Sequence, residues 1–103
     1  MGFYDLANCY EDLGRLELAE ECYYAALRYQ PSYDIFLGGL ASFLYLHGKP
    51  EKAFSAYLEV LKVDKKNKCK DGIERCVIGL KALGEKMGWP ETAVTEKINQ
   101  ILL

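Results

Sequence analysis

A chain of 103 residues, half of them hydrophobic and with a formal net charge of −2, has room for one domain, and for a sizeable core only if its parts share it. No apolar run approaches the roughly 20 residues a membrane span requires, no basic region followed by an apolar core opens the chain, and no bulk basicity points to nucleic acid. The charge is uneven, with eight acids against three bases over residues 1–51 and ten bases against seven acids over 52–103.

Phe3, Leu6, Ala7, Tyr10 and Leu13 recur at steps of three and four, which predicts an amphipathic helix over 3–13. Gly14, at ease in a left-handed conformation, ends it. Leu16, Ala19, Cys22, Tyr23, Ala26 and Leu27 continue the habit over 16–29, and Pro31, lacking an amide proton, stops this second helix. A second antiparallel hairpin begins near Ser32 or Tyr33 and runs through Leu37, Leu40, Ala41 and Leu44 to Gly48. It returns from Pro50, which suits a first helical turn, through Ala53, Phe54, Tyr57, Leu58 and Leu61. A lysine-rich turn over 62–70 closes it, with Asp64 and Asn67 as turn or capping residues and Lys62, Lys65, Lys66, Lys68 and Lys70 as solubilising charges. Ile73, Cys76, Val77, Leu80, Leu83 and Met87 draw the stripe of a fifth helix, and Val94, Ile98 and Ile101 that of a sixth.

The first two hairpins repeat each other. Leu6, Ala7, Tyr10, Gly14, Ala19, Tyr23, Ala26 and Leu27 recur as Leu40, Ala41, Leu44, Gly48, Ala53, Tyr57, Val60 and Leu61 at a spacing of 34 residues. Such a period marks a solenoid, whose units are too small to bury their own apolar faces and must stack. The third copy is out of step: Gly48-Lys49-Pro50-Glu51 matches Gly88-Trp89-Pro90-Glu91, 40 residues on. The six additional residues imply a first helix about two turns longer in that unit. Six helices in three pairs result, with units over roughly 1–33, 34–67 and 68–103.

Few side chains suggest chemistry. Cys9, Cys22, Cys69 and Cys76 show neither Cys-x-x-Cys nor a histidine at zinc spacing, so no metal site is expected, and all four read as small buried thiols on helices. The absence of a disulfide framework suits an intracellular, cytoplasmic location. His47, the one histidine, stands beside Gly48 at a helix end, where a cation meets the dipole favourably. No acid, hydroxyl or thiol can be placed next to it by spacing, so no enzyme and no cofactor are expected. Trp89, held extended by Pro90, is read as packing over the last helix pair.

These residues resemble the tetratricopeptide repeat across nearly all of the chain. Ala7, Ala19, Ala26, Ala41 and Ala53 allow close helix approach, and Tyr10, Tyr23, Leu44 and Tyr57 fill the space between neighbours. The resemblance implies an all-α fold, a right-handed α-solenoid of three antiparallel helix pairs in which the first helix of each pair lines a concave groove. The implied groove residues are Tyr4, Asn8, Glu11 and Asp12 in the first unit and Ile35, Gly38, Ser42, Tyr45 and Leu46 in the second, with Gly72, Cys76 and Gly79 as third-unit candidates. One version of this groove clamps the C-terminal carboxylate of heat-shock chaperones with lysine, asparagine and arginine; here those places hold Tyr4, Asn8, Gly39, Cys69 and Ile73. A carboxylate needs charged or amide donors, so that ligand is disfavoured. The expected partner is a protein: a helix or an apolar extended peptide, with a basic residue meeting Glu11 and Asp12. The alternative is an assembly unit or small chaperone acting through its end faces, Leu102, the convex Tyr24, Tyr29 and Tyr33, or self-association. The apolar ends suit a piece of a longer array or an adaptor whose ends are covered, with a homo-oligomer as one outcome.

Overall fold

The structure, a computed structural model, describes residues 2–30 and 34–103, and every regular element among them is a helix. The six are α1 (Phe3–Asp12), α2 (Leu16–Tyr29), α3 (Asp34–Leu46), α4 (Pro50–Lys66), α5 (Lys70–Lys86) and α6 (Glu91–Leu102). None is long and apolar enough to cross a membrane. The expected stop at Pro31 and the expected start near Ser32 or Tyr33 lie outside the described residues.

Each element follows from local chemistry. Gly14, Gly48 and Gly88 have φ of 77°, 78° and 74° and terminate α1, α3 and α5. In each case the next residue's N–H reaches back to a carbonyl one turn inside the helix, as in Arg15 to Tyr10 at 2.8 Å and Lys49 to Leu44 at 2.9 Å, which satisfies carbonyls the helix end leaves open. Pro50 opens α4, where its missing N–H costs nothing.

The out-of-step third copy has a different origin from the one expected. The additional residues do not all lie in α5: α4 has 17 residues where α2 has 14, and α5 has 17 where α3 has 13. The lysine-rich turn is correspondingly short. Lys62, Lys65 and Lys66 lie on α4, whose negative helix end favours cations, and Lys65 Nζ donates to the Ile101 carbonyl at 2.7 Å. The turn itself is residues 67–69, closed by Lys68 in the left-handed region at φ 57°. Cys69 N donates to Asp64 O at 2.9 Å, so α4 ends in the geometry that glycine gives α1, α3 and α5. Asp64 is therefore not a turn residue; it is on the last turn of α4 and 4% exposed.

The core runs through the stack. Ala7, Ala19 and Ala26 let α1, α2 and α3 approach, and Leu40, Phe43, Leu44, Leu61, Leu80 and Leu83 fill the middle. Each buried leucine contributes about 2 kcal/mol, whereas the exposed Lys62–Glu59 pair at 3.1 Å contributes under about 1 kcal/mol, so packing decides the fold. The most extensive helix contacts are α1 on α2, α3 on α4 and α4 on α5. Trp89 packs edge-on against Phe54, ring centroids 4.9 Å apart, and ties the α5–α6 turn to α4. The thiols depart from expectation: Cys76 is buried, Cys22 half-buried, and Cys9 and Cys69 are exposed, Cys69 preceding α5 instead of lying in a helix.

Candidate functional site

A groove of about 650 Å³ opens along α1, α3 and α5, with α2 and α4 beneath it. On α3 its lining includes Ile35, Gly38, Ser42 and Leu46, at steps of three and four that put them on one face, together with Gly39 and Phe43. Ile35 is 50% and Leu46 69% exposed. A Cβ built on Gly38 meets no heavy atom within 4 Å among the described residues, so none of them uses the space its missing side chain leaves. Gly39 is different, because Tyr4 lies where its side chain would be, stacked on Phe36 with centroids 5.1 Å apart and edge-on to Tyr23 at 5.8 Å.

At the first-unit end, a polar chain links α1 and α2 to His47 in the turn that follows α3. The Tyr23 hydroxyl donates to Glu11 Oε1 at 2.9 Å and lies 3.0 Å from Asn8 Oδ1. The other Glu11 oxygen is 2.9 Å from His47 Nε2, and the His47 ring lies against Phe43 with centroids 4.7 Å apart. Burial, with the Glu11 carboxylate accepting its proton, pushes the Tyr23 phenol well above the ordinary tyrosine range. Glu11 is thus engaged by two side chains of its own protein. His47 does more than close a helix end, since its acid partner comes from 36 residues earlier and no local spacing could reveal it.

At the third-unit end the lining is Asp64, Cys69, Gly72, Arg75 and Cys76. The Asp64 carboxylate occupies the place a Gly72 side chain would take and accepts from the Cys76 thiol, Sγ to Oδ2 being 3.6 Å. Burial first, and then the Asp64 charge, pushes the Cys76 thiol up to about 12, so it stays a donor at neutral pH. Asp64 was missed in sequence reading because a carboxylate among lysines near a turn looks like a solvated cap.

Of the expected groove residues, Tyr4, Asn8, Glu11, Ile35, Gly38, Ser42 and Leu46 line this cavity, with Gly72 and Cys76 from the third unit. Asp12 and Tyr45 are not among the lining residues. Asp12 closes α1 one position past Glu11 and turns away by a helical step of about 100°. Tyr45 packs against the core and has Lys86 Nζ 5.4 Å from its ring centroid. Gly79 also lies off the lining, with Tyr57 packed on it at 3.4 Å. Among the described residues no group of three potential ligands could hold a metal ion.

Residues 1–33, which contain the first helix pair, match the family model described as tetratricopeptide repeat. No curated protein and no solved structure gives a match.

Proposed function

We propose that this tetratricopeptide-repeat chain, from a family of non-catalytic repeats that mediate protein–protein interaction, is a scaffold that holds a partner helix or extended peptide in the groove along α1, α3 and α5. The observation that carries this reading is the α3 face: Ile35 and Leu46 stand half or more exposed on either side of Gly38 and Ser42, on a helix with no charged residue between Ile35 and Leu46. Exposed apolar side chains bordering unfilled space are what a partner covers. The chaperone-tail clamp remains disfavoured, because Tyr4 fills the space beside Gly39 where donors would be needed.

The test is selection of a phage-displayed library of random 12-residue peptides on the full chain, followed by titration of the selected peptides against Gly38→Arg. Open space at Gly38 lets arginine fit without unfolding, and the expected result is at least tenfold weaker binding at an unchanged melting temperature. Undiminished binding overturns the groove reading.

A second reading rests on Phe3, Leu13, Leu16 and Leu18, exposed on the first helix pair, and on Tyr29, 83% exposed on α2. It makes the chain an assembly unit that uses an end face or its convex side. Tyr24 is also exposed there, Leu102 is partly buried against the core, and Tyr33 lies outside the described residues. Sedimentation at several concentrations, with Leu13→Glu as the variant, separates self-association through that end from a monomer.

A further inference from the structure

We propose, resting on the groove reading above, that Asp64 is the receptor for a lysine or arginine side chain of the bound peptide, with a neighbouring apolar side chain of that peptide seated over Gly38 between Ile35 and Leu46. The expectation that Glu11 and Asp12 would meet a basic residue fails on geometry. Glu11 is already bonded to Tyr23 and His47, and Asp12 is off the lining. The carboxylate the groove has left is Asp64.

Three observations converge on it. Asp64 is 4% exposed yet lines the groove, and a buried carboxylate is costly unless it is paired. Its side-chain hydrogen bond comes from a neutral thiol, and none of the ion pairs among the described residues includes it. Gly72 leaves the room that the carboxylate fills, against the first turn of α5, where the positive helix end partly offsets its charge. That partial compensation tolerates the charge without neutralising it. Arg75, the one lysine or arginine on the lining among the described residues, is exposed, and its Nε points back to the Asp71 carbonyl of its own helix at 3.4 Å.

The second pocket of the pattern is Gly38. A glycine inside a helix is destabilising, and Gly39, Gly72, Gly79 and Gly84 each have a side chain packed against them. Gly38 alone among the glycines within the described helices has open space above it, and that space is bordered by apolar side chains. A basic and an apolar residue on one peptide satisfy both features, the charge giving register and the apolar contact giving buried area.

The experiment reads the composition and charge dependence of peptides selected from the random 12-residue library. Sequences that depend on Gly38 are expected to carry a lysine or arginine close to a leucine, isoleucine, methionine or phenylalanine. Replacing that basic residue with norleucine in a synthetic peptide is expected to weaken binding to the unaltered protein at least tenfold, and Asp64→Asn to reproduce the loss. The peptide substitution requires no change to the protein, so a fold defect in Asp64→Asn cannot mimic the result. Selected peptides that lose binding with Gly38→Arg but bind equally with norleucine overturn this inference and leave the groove reading standing. Peptides indifferent to Gly38→Arg, or no enriched sequence at all, overturn both.

Discussion

Tyr23 shows how one residue of a repeat acquires two tasks. At this position the periodic pattern asks only for a large side chain between neighbouring helices, and the ring supplies that, 2% exposed and against Phe43 with centroids 5.2 Å apart. Its hydroxyl then holds Glu11 and Asn8 on α1. Tyr23→Phe keeps the ring and removes the donor, which is expected to cost about 1–3 kcal/mol because a carboxylate and an amide lose their partner. The folded phenol titrates above its ordinary value of 10.0, so the protonated form is the one folding favours. Its contribution is complete below about pH 10 and is lost as pH rises beyond. Urea midpoints of the two proteins are therefore expected to differ at pH 7, and the difference is expected to narrow progressively as pH rises above about 10. The same sign holds for Cys76, whose contribution fades between its usual 9.0 and about 12.

At the scale of elements, the α4–α5 connection distinguishes this chain from an even repeat. The α1–α2, α3–α4 and α5–α6 turns use a left-handed glycine, and the α4–α5 turn achieves the same geometry with Lys68 at φ 57°. An L-residue there is strained by about 1 kcal/mol, so Lys68→Gly is expected to raise stability by roughly that amount, measured by urea denaturation. The tight turn makes α5 pack on α4 as closely as α2 packs on α1 and α4 on α3, and more closely than α6 packs on α5. Small residues on α5 permit this: Asp64 fills the space at Gly72 and Tyr57 lies on Gly79. Gly72→Ala would push a methyl group into the Asp64 carboxylate, with an expected loss of about 1–3 kcal/mol. Gly38→Ala, with nothing to strike, is expected to gain up to about 1 kcal/mol. Opposite signs for two glycines on groove-lining helices would separate the one used for packing from the one left open.

Across the whole molecule, stability is uneven because burial is. The sole buried side chain of α1 is Ala7, and α6 has Val94 and Ile98, whereas α4 buries Ala53, Phe54, Ala56, Val60, Leu61 and Asp64. Elements with few buried apolar contacts open at lower free energy than the core. Amide hydrogen exchange is expected to be slowest in α3, α4 and the middle of α5 and fastest in α1 and α6; uniform protection along the chain would contradict this. The groove lining includes α1 but no residue of α6, so a bound peptide should slow exchange in α1 more than in α6.

Much of the fold was legible in the residues. Helix positions follow from apolar steps of three and four, and turns from Gly14, Gly48 and Gly88, because backbone geometry and amphipathicity are local. The resemblance to the tetratricopeptide repeat implied groove positions Ile35, Gly38, Ser42 and Leu46, which share a face in any α-helix and line the cavity. What only the tertiary structure decided is which of those residues are already occupied. Helix stacking brings Glu11 to His47 across 36 residues, sets Tyr4 over Gly39, and turns Asp64 from an apparent cap on a lysine-rich connector into the buried carboxylate of the groove. Local sequence specifies where a side chain lies on its own helix; its partners depend on how far one helix slides and tilts against the next, which packing across the whole stack determines.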